Sequence, residues 1–148
     1  MFNFRLANLI KFVQNKRMSY HKINKEDRLY FQSVVGESNI FYSEESLKEY
    51  SHDETEDLFF PPEVIIKPKT TIEVSQILSY CCKSKIPVTP SGGRTGLSGG
   101  SLPIYGGVSL SLERFISIIE IDERNLQATV EPGVITQNFR IFNSLFSI

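Results

Sequence analysis

The densest chemistry in the chain lies in Pro-Ser-Gly-Gly-Arg-Thr-Gly-Leu-Ser-Gly-Gly-Ser-Leu-Pro, residues 90–103. Five of the nine glycines of this 148-residue sequence fall there, at 92, 93, 96, 99 and 100. Glycine loses more backbone freedom on folding than any other residue. A run of this kind therefore marks positive-φ positions, or a backbone that something else must approach closely. Consecutive backbone N–H groups freed in this way form a concave nest for phosphate oxygens. Ser91, Thr95, Ser98 and Ser101 add hydroxyl donors and Arg94 adds a cation. The stretch is equipped for a pyrophosphate. A loose surface loop is the plainer alternative, and the flanking elements decide between them.

The kind of phosphate site can be narrowed by exclusion. No two glycines of the run stand two apart, so the GxGxxG of an ordinary dinucleotide fold is absent, and no Gly-Lys-Ser/Thr follows to make a P-loop. Gly-Arg-Thr-Gly (93–96) matches the GxxG clamp with which KH domains grip RNA. The Leu-Ser-Gly-Gly-Ser-Leu-Pro that follows is unsuited to the helix such a clamp needs. Residues 64–148 carry eight bases against six acids, far short of the basic footprint of a nucleic-acid binder, so no nucleic-acid partner is expected.

The elements around the run give it a position. Glu-Val-Ile-Ile-Lys-Pro (63–68) reads as a strand stopped by Pro68. The next stretch, 70–85, reads as a helix. Thr70 and Glu73 make a capping box there, and Ile72, Val74, Ile77, Leu78 and Cys81 form an apolar stripe. Ile-Pro-Val-Thr-Pro (86–90) is a second strand, so the unit predicts two parallel strands with a right-handed crossover. The glycine run starts at the carboxyl end of that second strand, where ligands of parallel sheets bind. Strands are expected over 106–112, 116–122 and 126–133, with alternation in Val-Ser-Leu-Ser-Leu and Ala-Thr-Val-Glu that predicts half-buried antiparallel pairing. A further helix is expected over 135–146, with Phe139, Phe142, Leu145 and Phe146 as an apolar stripe lacking a partner in this chain.

Upstream, Asn24 is placed to cap and Gly36 to stop a short helix over 24–36, with Leu29, Phe31, Val34 and Val35 as its apolar contacts. Ser43 is placed to cap another over 43–50. Ser-His-Asp-Glu-Thr-Glu-Asp-Leu-Phe-Phe-Pro-Pro then reads as an acidic, extended linker. The division expected is a basic extension (1–25), a helical lead-in (26–60) and the main unit (61–148). Six Lys/Arg and no acid lie within 1–25, whereas 26–63 hold eleven acids and two bases. Residues 1–17 suit an amphipathic mitochondrial targeting segment or an extension ahead of Met18. Without that role the chain is expected to be cytoplasmic, and no run is long and apolar enough to cross a membrane. Cys81 and Cys82 have no metal or CxxC spacing and read as core-facing thiols in a reducing compartment. No metal site is expected. His21 and His52 fit no ligand pattern and read as surface residues.

Taken in order, Pro-Pro-Glu-Val-Ile-Ile-Lys-Pro, Pro-Ser-Gly-Gly-Arg-Thr-Gly-Leu-Ser-Gly-Gly-Ser-Leu-Pro, Gly-Gly-Val-Ser-Leu-Ser-Leu-Glu-Arg-Phe and Glu-Pro-Gly-Val resemble the amino-terminal FAD-binding region of the vanillyl-alcohol oxidase/p-cresol methylhydroxylase-type (PCMH-type) flavoproteins. Within them the branch of glycolate oxidase and D-lactate dehydrogenase is the most similar, and Tyr-Ser-His-Asp-Glu-Thr-Glu-Asp-Leu (50–58) resembles its lead-in. The resemblance covers about residues 26–146. It implies an α+β subdomain, a strand–helix–strand unit followed by antiparallel strands, truncated before the fold is complete. It implies FAD contacts from Pro90, Ser91, Gly92, Gly93, Arg94, Thr95, Gly96, Leu97 and Ser98, and from the Glu131, Pro132, Gly133, Val134 turn.

Relatives that hold FAD covalently through this loop carry a histidine in it. There is none between 53 and 148 here, so non-covalent FAD is implied. In the family a hydride passes from C2 of a 2-hydroxy acid to flavin N5, with a histidine base and carboxylate-binding arginines that lie in a portion not present here. The resemblance therefore implies no catalytic residue in this chain, the remaining FAD-domain and cap-domain polypeptide as partner, and a small 2-hydroxy acid as substrate of the complete enzyme. The readings set against it are a non-catalytic fragment without stable flavin binding, and the nucleic-acid module built on Gly-Arg-Thr-Gly.

Overall fold

A computed structural model describes residues 19–55 and 58–135. The basic segment 1–17 and the stripe expected over 139–146 lie outside the described residues. Helix α1 (Lys25–Val35) starts at the expected cap. Asn24 Oδ1 accepts from the Asp27 amide at 3.0 Å and Asp27 Oδ2 accepts from the Asn24 amide at 2.8 Å. Gly36, at φ 82°, ends it. A 3₁₀ turn (Glu37–Asn39) leads into β1 (Ile40–Phe41), and α2 (Glu44–Glu49) is capped by Ser43. Strand β2 (Val64–Ile66) is followed by α3 (Thr71–Ser84), which carries the Thr70/Glu73 capping box and closes on Lys85 in the left-handed region. Strands β3 (Val88–Ser91), β4 (Val108–Ser111), β5 (Ile118–Asp122) and β6 (Gln127–Val130) complete the order.

The main sheet runs β1-β2-β4-β3. Strands β2 and β3 are parallel, as the strand–helix–strand reading requires, but β4 is inserted between them and runs parallel to both. The expectation of a half-buried antiparallel β4 is therefore corrected. All four of its residues are buried, Ser109 and Ser111 included. Serine is small enough to sit inside a sheet covered on both faces, so its polarity gave a false alternation. Antiparallel pairing holds for β1 on β2 and for the β5–β6 hairpin, which forms a separate two-stranded sheet.

The core lies between the main sheet and the two longer helices: Phe31 and Val35 from α1, Ile77 and Cys81 from α3, and Val64, Ile66, Val108 and Leu110 from the strands. Only one edge of the α3 stripe reaches it, for Ile72 and Leu78 are exposed, and Leu29 of α1 is exposed as well. The two cysteines part company. Cys81 is buried, its thiol pushed by burial up to about 12 and so kept protonated, whereas Cys82 is exposed. Adjacent helical residues point about 100° apart, so both could not face one core.

One buried carboxylate joins the helices. Asp27 also accepts from the Tyr80 hydroxyl of α3 at 2.7 Å and pairs with His21 Nε2 at 2.7 Å, so His21 is held rather than free on the surface. Tyr80 stacks on Tyr30 with centroids 4.0 Å apart. Burial alone would raise the Asp27 pKa, but bonds from the Asn24 backbone, Tyr80 and His21 outweigh it and hold it below the ordinary value. Asp27→Ala removes the return half of the capping box and strands Tyr80 and His21, at an expected cost of about 2–4 kcal/mol. A folded-state pKa below the unfolded one stabilises above the ordinary carboxylate value, and that stability is lost as pH falls through the lowered one. Urea unfolding of wild type and variant at neutral and acid pH should show the gap closing on acidification. A gap that persists would mean the carboxylate charge contributes nothing.

Candidate functional site

Three parallel strands end on one edge of the main sheet. Ile66 pairs with Leu110, and Ser91 with Ser111, so the residues that leave β2, β3 and β4 emerge together. Above this edge residues 90–98, with Asp53, Gly100 and Ser101, line a cleft of about 370 Å³. Pro90 and Ser91 belong to β3, Gly92 to Ser98 form the loop, and no helix lies between β3 and β4. A KH-type clamp thus has no helix to open.

The cleft holds an unanswered polar group. Ser91 is 4% exposed and its carbonyl accepts from the Leu112 amide at 2.8 Å, yet its hydroxyl has no partner. Buried hydroxyls are nearly always bonded, so an orphan on a cleft wall points to a ligand that supplies the acceptor. Added Cβ atoms at Gly93, Gly96 and Gly100 would meet nothing within 4 Å, so these positions stand open. Thr95 and Ser98 are exposed on the same wall, and Leu97 is 75% exposed.

The glycines divide into two kinds. A Cβ on Gly92 would lie 2.6 Å from the Pro132 carbonyl oxygen, and one on Gly133 would lie 2.6–2.9 Å from the carbonyls of Leu112, Phe115 and Glu113. The loop 90–98 and the turn 131–134, two segments far apart in sequence, are therefore in direct contact. Gly133 also donates to the Phe115 carbonyl at 2.8 Å and Val134 to that of Glu131 at 3.1 Å. These two glycines serve close packing of protein on protein. The positive-φ positions of the run are Arg94 (58°) and Gly99 (72°), not Gly93 or Gly96.

Arg94 lines the cleft, but its guanidinium is committed elsewhere. It donates to the carbonyl and, at 2.7 Å, to Oε1 of Glu49, and lies 3.9 Å from the Tyr50 ring centroid. Sequence reasoning also missed Asp53, because its segment read as a linker. Ser51 and Asp53 are in fact buried. Asp53 accepts from the Thr55 amide at 2.9 Å and from Ser101 Oγ at 3.2 Å. Burial pushes its pKa up, yet the bonds from Thr55 and Ser101 win and keep it below the ordinary value. The signal available was the lead-in stretch 50–58 itself, whose acids looked solvated. Among the described residues no cluster of metal-ligating side chains occurs.

Residues 62–142 match the family model of the FAD binding domain. The chain belongs to this family. It is 40% identical over 114 residues to the glycolate oxidase subunit GlcD of Bacillus subtilis (strain 168), covering 77% of this chain and 24% of that protein. It is 37% identical over 120 residues to a probable mitochondrial D-2-hydroxyglutarate dehydrogenase of Oryza sativa subsp. indica, covering 81% of this chain and 22% of that one. The chain thus spans about a quarter of the length of the curated relatives it matches. Among solved structures, p-cresol methylhydroxylase superposes with a TM-score of 0.68 over 80% of this chain and 24% of its own, at 23% identity, which shows a shared fold. The PCMH-type fold expected from the resemblance is the one found. No helix among the described residues is long and apolar enough to cross a membrane.

An orphan hydroxyl, open glycine positions and exposed hydroxyls make a wall that fits the pyrophosphate of this family's cofactor. The contrast between the two kinds of glycine is testable without ligand. Gly92→Ala forces the Pro132 carbonyl to move and is expected to cost about 1–3 kcal/mol. Gly93→Ala enters open space and should stay within about 0.5 kcal/mol of wild type. Equal thermal midpoints for the two variants would show that loop and turn are not in contact.

Proposed function

We propose that this chain binds FAD non-covalently, with the pyrophosphate in the glycine cleft, as the flavin-holding part of a 2-hydroxy-acid dehydrogenase. The observation that carries the reading is the buried, unpartnered Ser91 hydroxyl on a glycine wall, in a chain of the FAD-binding family. Ser91 donates to a phosphate oxygen, and the amides of Gly92, Gly93 and Gly96 with the hydroxyls of Thr95 and Ser98 complete the nest. Pro90 sets the departure of the loop and exposed Leu97 gives the cofactor an apolar contact. The turn Pro132, Gly133, Val134 braces the loop through the Pro132 carbonyl against Gly92, with Gly133 packed on the carbonyls of Leu112, Glu113 and Phe115. Arg94 takes part through the shape of the loop.

When bound, FAD supplies the acceptor for a hydride from C2 of a glycolate- or D-lactate-type hydroxy acid. The reading places the base and the carboxylate-binding groups on other parts of the complete enzyme, with further polypeptide covering the exposed Ile119 and Leu126 of the β5–β6 hairpin. The free thiols suit a cytoplasmic setting, and the basic segment 1–17 a mitochondrial one.

The test is titration of the 148-residue chain with FAD, followed by flavin fluorescence and with ADP as competitor. Saturable quenching relieved by ADP is expected. Acid precipitation should then leave yellow flavin in the supernatant, and flavin retained in the pellet would contradict non-covalent binding. Gly93→Val and Gly96→Val should lose FAD at least tenfold with the thermal midpoint kept, since each fills space the phosphates need. Dye reduction with D-lactate or glycolate should show no turnover by this chain alone. Failure of FAD to saturate would sink the reading.

A further inference from the structure

Arg94 leaves β3 in the left-handed region, at φ 58°, which a residue with a Cβ keeps only when its surroundings hold it. The holding group comes from the lead-in. Glu49, the last residue of α2, takes the guanidinium on its carboxylate and carbonyl, and the ring of the next residue, Tyr50, lies beneath it at 3.9 Å. Tyr50 is 3% exposed. Its hydroxyl donates to Glu113 Oε2 at 2.6 Å, and Glu113 also accepts from Lys67 Nζ at 2.7 Å and from Ser111 Oγ at 3.0 Å. Lys67 follows β2 and Glu113 follows β4. One tyrosine therefore ties the carboxyl ends of β2 and β4 to the loop that leaves β3.

We propose that Tyr50 is the positioning residue of the glycine loop. With Arg94 seated on its ring and its hydroxyl anchored on the Lys67–Glu113 pair, it holds the cleft open before a ligand arrives. Arg94 then spends its charge on Glu49 and Tyr50, and the ligand's phosphates are met by amides and hydroxyls. Setting the loop in advance removes an ordering cost that binding would otherwise carry. The identity of the ligand rests on the FAD reading above; what holds the loop does not.

The ligand-free chain provides the test, through NMR order parameters of the amides of residues 92–98. A clasped loop should lie near the rigid-backbone value of about 0.85, and Tyr50→Leu should drop it below about 0.6 while the amides of β2 and β4 keep theirs. Tyr50→Phe keeps the ring under Arg94 but cuts the anchor to Glu113, so its order should fall between wild type and Tyr50→Leu. Arg94→Asn tolerates the left-handed turn but cannot reach Glu49 or Tyr50, and should loosen the loop as Tyr50→Leu does. It decides the matter should Tyr50→Leu loosen the strands as well. In FAD titrations Tyr50→Leu and Arg94→Asn should bind about tenfold more weakly, and Tyr50→Phe within about threefold of wild type. Order at 92–98 unchanged in Arg94→Asn would overturn the proposal. Wild-type chain that fails to bind FAD would overturn the flavin reading alone, since the order parameters are measured without it.

Discussion

The hydrogen bonds that seat β4 between β2 and β3 are the constraint on which the rest depends. With both neighbours parallel to it, three strands end on the same edge, and the cleft and the Tyr50–Lys67–Glu113 cluster collect there. Lys67 and Glu113 meet across 46 positions of sequence because β2 and β4 stop side by side. Ser91 is buried for the same reason, since its strand pairs with Ser111 up to the last residue. An antiparallel β4 would have sent Glu113 to the opposite edge and left the glycine loop without a floor.

Charge at this edge is organised around protein rather than left open to the cleft. Burial works against ionised Glu113, but the Lys67 and Tyr50 bonds hold its carboxyl below the ordinary value, while burial and the bond to Glu113 push the Tyr50 phenol up. Lys67, which burial would lower, is raised instead by Glu113 and Tyr50. Each group keeps its partner in the charge state that bonds best, so the cluster is a rigid floor at neutral pH. The cleft wall itself offers hydroxyls and open glycine positions rather than an ion pair facing the cleft.

Glycine content alone did not reveal what each glycine is for. Gly92 and Gly133 are needed because carbonyls of the protein lie where a Cβ would go, and Gly107, at φ 70°, because the Pro87 carbonyl does. Gly93, Gly96 and Gly100 stand open. Residues of one type thus do two jobs, internal packing and an unfilled wall, and only neighbours from elsewhere in the chain tell them apart.

The amino-acid sequence by itself determined what depends on contacts three or four residues away. The Asn24 and Ser43 caps, the Thr70/Glu73 box and the stop at Gly36 are all local features, and all are present. It also placed the glycine loop at a strand's carboxyl end, because Pro87 and Pro90 punctuate the stretch 86–90 and the glycine run after it cannot be regular structure. Tertiary structure decided the rest. The order of strands depends on which partners are free after the chain has folded back, so serines 109 and 111 looked like a solvent face and proved buried. Asp53 looked solvated among its acidic neighbours until Thr55 and Ser101 supplied donors. Arg94 looked like a charge for the ligand until Glu49 and Tyr50, 45 and 44 residues earlier, arrived to take it. Bonds that span such distances leave no periodicity in sequence, because the residues between them are free to vary in pattern while the fold brings the ends together.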